Sequence, residues 1–113
     1  MRLVFTCLLI GVLTVSVALA EEPAVTIPLV LKDHKFAPDA VTAPAGRRIR
    51  IELRNQDGTA EEFDSDDLSA EKQVGPHAKA VIEVGPLKPG TYRFIGELHA
   101  ATAQGTLTVP TEP

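Results

Sequence analysis

Two side chains that can bind a metal ion, Glu97 and His99, lie in one short segment near the C-terminus. Large apolar residues alternate with period two on both sides of this segment, which predicts a strand, a short loop and a second strand over Gly90–Val109. The alternating residues are Tyr92, Phe94, Leu107 and Val109. A loop that is held by a strand at each end is a favourable place for a metal ligand.

The chemistry open to this loop is that of oxygen and nitrogen ligands. Glu97 and His99 are two residues apart, so an extended chain places both side chains on the same face. A carboxylate and an imidazole suit Fe(II), Fe(III), Mn(II) or Cu(II) better than Cu(I). The alternative for His99 is a plain surface histidine, and the alternative for Glu97 is an exposed carboxylate at a strand end.

The rest of the chain predicts short strands separated by turns that contain glycine or proline. The clearest strand is Arg47–Asn55, where Ile49, Ile51 and Leu53 point to one face and charged residues point to the other. Further strands or extended segments are predicted at Val25–Leu31, Ala40–Ala43, Thr59–Phe63, Glu71–Val74 and Ala78–Val84. Pro28 favours an edge position or a bulge for the first strand. Many short strands without a long helical period predict an all-β sandwich.

The first 20 residues have the pattern of a secretory signal peptide. Arg2 precedes an apolar run, and Ala18-Leu19-Ala20 is a small-x-small cleavage site. The alternative, a transmembrane anchor, requires a longer apolar run of about 20 residues. We therefore expect residues 1–20 to be removed and residues 21–113 to form one exported domain. Cleavage removes Cys7 and the only methionine, so the mature domain has no sulfur ligand.

The charges of the predicted mature domain are unevenly distributed. It keeps 15 acidic and 10 basic side chains, a net charge of −5, which lacks the basic footprint of a nucleic-acid-binding protein. Seven acids fall within residues 57–71, which contain no lysine or arginine. Among them Asp64, Asp66 and Asp67 are interpreted as a solvated rim, or alternatively as a surface that concentrates cations or docks a basic partner.

The segment YRFIGELHAATAQGTLTV resembles the C-terminal copper loop of cupredoxins. In that family an aromatic strand is followed by a cysteine, a histidine, a methionine and a Gly-x-aliphatic-x-Val ending. In this alignment Gly96 stands at the cysteine position, His99 at the histidine and Ala103 at the methionine. A type 1 copper site needs a thiolate, and the predicted mature domain has none, so we expect no blue-copper electron carrier. The resemblance also implies the fold of the family, an all-β Greek-key β-sandwich.

The remaining pattern is similar to non-blue periplasmic cupredoxins associated with bacterial iron uptake. The resemblance is carried by Glu61-Glu62-Phe63-Asp64-Ser65, Leu68, Glu71-Lys72, Gly96-Glu97-Leu98-His99 and Thr102-Ala103-Gln104-Gly105. It implies a transition-metal ion, iron or copper, bound by Glu62, Glu71, Glu97 and His99. Strand alternation alone would turn Glu61 toward the side of Phe63 and Glu62 away, so the choice of Glu62 rests on the resemblance. Glu71 has the alternative of an ion pair with an arginine.

The resemblance also implies the function. We expect a periplasmic protein that binds iron or copper and serves an iron-uptake system, with membrane iron permease or oxidase components as partners. The alternatives are a periplasmic copper carrier or chaperone, and a metal-free module that docks through its acidic face. His34 and His77, next to predicted turns, are surface residues or second ligands. No nucleophile–base pair or phosphate-binding loop is present, so we expect no enzyme.

Overall fold

The computed structural model describes residues 2–4, 6–15 and 22–111. Residues 2–4 and 6–15 are exposed and form no strand or helix. The predicted cleavage site at residues 18–20 lies outside the described residues. Within the described ranges, no helix reaches the length and hydropathy that crossing a bilayer requires.

Residues 22–111 form a β-sandwich of two sheets, as the sequence predicted. The strands are β1 (Val25–Lys32), β2 (Lys35–Ala37), β3 (Ala40–Thr42), β4 (Ile49–Asn55), β5 (Glu61–Ser65), β6 (Ala70–Val74), β7 (Lys79–Val84), β8 (Gly90–Gly96) and β9 (Gln104–Val109). One sheet has the order β2-β1-β4-β7 and the other the order β3-β9-β8-β5-β6. A single 3₁₀ turn, Glu97–His99, connects β8 to β9.

The core lies between the two sheets and follows the predicted alternation. Ile49, Ile51 and Leu53 of β4 are buried, while the residues between them are exposed or half-buried. The rings of Phe63 and Phe94 stack in the opposite sheet with their centroids 5.1 Å apart. This aromatic layer supports β5 and β8, the strands that lead into the candidate site.

The sequence predicted an edge position or a bulge at Pro28, and the backbone of β1 is unpaired on one side there. β1 pairs with β4 from Val25 to Leu31, but β2 pairs only with Val30–Lys32. The outer edge of β1 is therefore unpaired at Pro28, where no N–H is available for a ladder bond. The prediction holds locally, although β1 is an inner strand of its sheet.

The turns at one end of the sandwich are connected by hydrogen bonds. The carboxylate of Asp57 accepts the backbone N–H groups of Asp33 and His34, at 2.8 and 3.0 Å. The carbonyl oxygen of Asp57 accepts the N–H of His77 at 3.0 Å. The β1–β2, β4–β5 and β6–β7 connections are thus fixed to one another at the end where the 3₁₀ turn also lies.

Candidate metal site

Three carboxylates converge on the outer face of the five-stranded sheet. In the β5–β6 ladder Glu62 is opposite Gln73 and Asp64 is opposite Glu71, so Glu62 and Glu71 are diagonal neighbours on one face. Glu97 joins them from the 3₁₀ turn that follows β8. One oxygen of each of Glu62, Glu71 and Glu97 lies within 4.8 Å of those of the other two.

The proximity of these carboxylates changes the acidity of Glu62. The hydrogen bond with Glu71, followed by loss of hydration and by the negative charges of Glu71, Glu97 and Asp64, raises the pKa of Glu62 to about 7. Neighbouring carboxylates raise a pKa in this way because each negative charge disfavours the next. A bound cation removes that repulsion, so the cluster has the electrostatics of a cation site.

His99 is hydrogen-bonded to the buried carboxylate of Glu61, the residue that precedes Glu62. Glu61 is 1% exposed, and its Oε2 is 2.5 Å from Nδ1 of His99. Its Oε1 accepts the backbone N–H groups of Glu62 and Leu98, at 3.0 and 2.9 Å. Because a carboxylate oxygen is only an acceptor, Nδ1 carries the proton and Nε2 is left with a lone pair in the neutral ring. This is the carboxylate–histidine arrangement that orients metal-binding imidazoles.

A second imidazole covers the ring of His99. His34 stacks on it with the ring centroids 3.6 Å apart and the planes 12° from parallel. His34 lies in the β1–β2 turn with a φ of 57°, and Asp57 binds the backbone of that turn. Burial raises the pKa of Asp57, but the N–H groups of His34 and Asp33 and the nearby imidazoles outweigh it and hold that pKa below its usual value.

The structure therefore brings together three of the four residues that the resemblance implied. Glu62, Glu71 and Glu97 form the cluster, while His99 lies outside it and contacts Glu61. Within residues 22–111 Glu71 forms no ion pair with an arginine, so that alternative is not realised.

The structure also gives the positions of Asp67, in the acidic segment of residues 57–71, and of the histidines His34 and His77. Asp67 accepts the backbone N–H of Arg93 at 2.8 Å, so part of the acidic segment has a structural contact. His77 is exposed, whereas His34 is half-buried against His99. Of the two turn-adjacent histidines, only His34 contacts His99.

Two residues that contact His99 stand outside the four predicted ligands. Glu61 was not predicted as a ligand, and His34 was predicted to be a surface residue or a second ligand. Period-two alternation with Phe63 indicated that Glu61 points inward, and the structure confirms it. The position of His34 carried no comparable signal, because its contact with His99 joins turns that are 65 residues apart in sequence.

The comparisons with known proteins establish the family. The family model of the cupredoxin-like domain matches residues 4–109. The chain belongs to the cupredoxin-like domain family. An uncharacterized protein of Rickettsia prowazekii (strain Madrid E) is 38% identical to this cupredoxin-like protein over 113 residues, which cover 95% of this chain and 90% of that protein.

Two solved structures share the fold. The metal binding domain of the Cu(I)-exporting P-type ATPase of Streptococcus pneumoniae D39, solved with Cu(I), has a TM-score of 0.70 at 16% identity and covers 81% of this chain and 92% of its own. Auracyanin A, a blue copper protein of Chloroflexus aurantiacus, has a TM-score of 0.67 at 19% identity, and the match covers 77% of this chain and 99% of auracyanin A. At these identities the similarity establishes the cupredoxin-like fold.

A blue-copper centre does not fit this cupredoxin-like domain. At Gly96, the cysteine position of the resemblance, an added Cβ would lie 2.7 Å from Cδ of Glu61 and 2.8 Å from Cβ of Ala103. Ala103 and Glu61 are both buried, so neither has open space into which it could move. The carboxylate of Glu61 fills the space that a cysteine side chain would enter, and its oxygens are already hydrogen-bonded.

Proposed function

We propose that this chain binds a divalent transition-metal ion through Glu62, Glu71 and Glu97, and that Nε2 of His99, which lies outside this cluster, is a further nitrogen donor. The observation that carries the proposal is the convergence of three carboxylates from β5, β6 and the 3₁₀ turn, with oxygens within 4.8 Å of one another. Glu62 keeps its proton to a pH of about 7 without a cation. A metal ion lets all three carboxylates ionise together.

The donor atoms narrow the choice of metal. Carboxylate oxygens with at most one imidazole nitrogen favour Fe(II), Mn(II) or Cu(II) over Cu(I), which prefers soft sulfur ligands. Such sites bind Cu(II) more tightly than Fe(II) in the general affinity order. Binding of copper in solution therefore does not decide which metal the protein carries in the cell.

The biological role we propose is a binding role, without catalysis, in the periplasm. The N-terminal pattern of a signal peptide supports export, and the motifs shared with non-blue cupredoxins of iron uptake support service to an iron-uptake system. In this proposal the protein hands metal or electrons to a membrane iron permease or oxidase component. The acidic surface around the cluster concentrates cations near it.

A second candidate is a periplasmic copper carrier. It is favoured by the structural neighbours, because the pneumococcal domain was solved with Cu(I) and auracyanin A is a blue copper protein. The absence of a thiolate from residues 21–113 means that such a carrier would use a different, non-blue site.

Metal binding by purified residues 21–113 tests the ligand proposal. The variants Glu62→Gln, Glu71→Gln and Glu97→Gln each keep the side-chain shape and remove one charge. Titrations with Fe(II) under anaerobic conditions, Mn(II) and Cu(II) are expected to show at least about tenfold weaker binding for each. The matched control is Glu52→Gln with Glu83→Gln, which removes acids from the other sheet. Equal affinity in the cluster variants and the control would overturn the proposal.

Gene deletion separates the two roles. Slow growth under iron limitation, rescued by the wild-type gene but not by the triple cluster variant, is the result expected for iron supply. A deletion strain that grows normally under iron limitation and is sensitive to copper would instead favour the copper carrier.

A further inference from the structure

Four cationic side chains form a row across the outer face of the four-stranded sheet. Alternation turns them outward, because Leu31, Phe36, Leu53 and Ala80 beside them are buried. The row consists of Lys35 in β2, Lys32 in β1, Arg54 in β4 and Lys79 in β7. Lys32 is directly opposite Lys35, and Arg54 is directly opposite Lys79. The two pairs are staggered by two residues, because the partner of Arg54 in β1 is Val30. At the usual spacing of strands the row spans about 14 Å.

These cations have no acidic partners in the described part of the fold. Like charges directly opposite each other in a sheet are destabilising. The remainder of the same face is different, because Arg48 and Arg50 pair with Glu83 and Glu52 at 3.0 and 3.3 Å. The turn between Lys32 and Lys35 carries the carboxylate of Asp33 and is bound by the carboxylate of Asp57, so part of the positive charge is offset at that end. The row is therefore a cationic surface, only partly neutralised, on a domain of net negative charge.

A shallow groove adjoins the row. It has a volume of about 370 Å³, and its lining includes the apolar residues Pro28, Val30 and Val81 and the cations Arg54 and Lys79. Arg50 and Glu52 also line it, and these two side chains form an ion pair with each other. The face carries no aromatic or methionine side chain between β2 and β7, whereas specific protein interfaces are enriched in such residues and depleted in lysine. Flexible cations beside a shallow groove with an apolar part match the phosphates of a lipid bilayer and the apolar layer beneath them.

The acidic surface is far enough away to allow this contact. Glu62, Glu71 and Glu97 lie on the outer face of the other sheet, and packed sheets are about 10 Å apart before side chains are added. The separation exceeds the Debye length of about 8 Å at physiological ionic strength. The negative face therefore repels an anionic surface only weakly when the cationic row touches it.

We propose that the row of Lys32, Lys35, Arg54 and Lys79 binds the surface of a membrane that contains anionic phospholipids. The row lies at the same end of the domain as the candidate site, since the turn between Lys32 and Lys35 contains His34. Adsorption through the row brings the end with His34 and His99 close to the bilayer. This inference does not depend on metal binding.

Vesicle co-sedimentation tests the proposal with residues 21–113, which contain both sheets of the described fold. The vesicles contain phosphatidylcholine alone or with phosphatidylglycerol. The test variant is Lys32→Gln/Arg54→Gln/Lys79→Gln. The control is Lys72→Gln/Lys88→Gln/Arg93→Gln, which removes the same charge from outside the row. Circular dichroism confirms that both are folded.

We expect the wild type to bind the mixed vesicles at low salt. The row variant is expected to bind them more than about tenfold more weakly, and the control variant nearly as well as the wild type. Phosphatidylcholine vesicles are expected to bind neither the wild type nor the variants. Failure of the wild type to bind anionic vesicles, or equal losses in both variants, would overturn the proposal. Binding to polyglutamate but not to vesicles would also overturn it and would assign the row to an acidic protein.

Discussion

At the scale of single residues, Glu61 determines which metal-binding groups this site can offer. Its buried carboxylate accepts two backbone N–H groups and the Nδ1 proton of His99. It therefore fixes the tautomer of His99 and also occupies the space beside Gly96 and Ala103. One side chain thus presents an imidazole nitrogen to solvent and excludes a thiolate centre.

The variant Glu61→Gln tests the control of the tautomer. The amide oxygen of the new side chain would still accept the two N–H groups, but its NH₂ group would face Nδ1 of His99 and require that nitrogen to be an acceptor. Nε2 would then carry the proton and lose its lone pair. We expect a loss of about 10- to 100-fold in any metal affinity that depends on His99. Nitrogen-15 NMR of the imidazole reports the tautomer, and an unchanged tautomer would contradict this role of Glu61.

Gly96 provides a residue-scale test of packing. Because an added Cβ would meet Glu61 at 2.7 Å and Ala103 at 2.8 Å, Gly96→Ala is expected to lower the free energy of unfolding by about 1–3 kcal/mol. Gly58→Ala is the matched control, since the nearest atom to its added Cβ is 3.7 Å away. Urea unfolding measures both. A change at Gly96 no larger than the change at Gly58 would show that Glu61 and Ala103 can move apart.

At the scale of elements, the candidate site depends on the register of β5 and β6. Period-two alternation predicted the buried face of β4, the inward turn of Glu61 and the strand before the 3₁₀ turn. It could not predict that Glu62 lies diagonally opposite Glu71, because alternation gives the face of a residue and not its partner on the next strand. The contact of His34 with His99 was beyond prediction for a similar reason, since it depends on Asp57 binding a distant turn.

The convergence of these elements predicts the pH dependence of stability without metal. The pKa of Glu62 is raised from the ordinary 4.5 to about 7, so the folded state holds a proton that the unfolded chain releases in this interval. The stabilising contribution is complete below 4.5 and is lost as the pH rises through 7. Glu62→Gln removes this titration, so its stability relative to the wild type should increase between about pH 5 and about pH 8. Urea unfolding of both proteins in a chelating buffer measures the difference in their free energies of unfolding. A difference that does not change with pH would contradict a proton shared by Glu62 and its neighbouring carboxylates.

At the scale of the whole molecule, the outer faces of the two sheets carry charges of opposite sign. The outer face of the five-stranded sheet holds the carboxylate cluster, and that of the four-stranded sheet holds the cationic row. The aromatic layer and the β4 core separate them. A cation bound at the cluster would therefore join β5, β6 and the β8–β9 connection on one side of the domain and leave the opposite face free for contact with a membrane.

Metal binding at the cluster should consequently stabilise the whole fold, because the three carboxylates come together only in the folded state. At a free metal concentration about 100 times Kd, the gain is about 2.7 kcal/mol, which for a domain of this size raises Tm by roughly 10–20 °C. Glu97→Gln should lose at least about half of this shift at the same metal concentration, because tenfold weaker binding reduces the gain to about 1.4 kcal/mol, while Glu52→Gln/Glu83→Gln should keep it. Thermal unfolding with and without Mn(II) makes the comparison. An equal shift in all three proteins would place the bound metal somewhere other than the cluster.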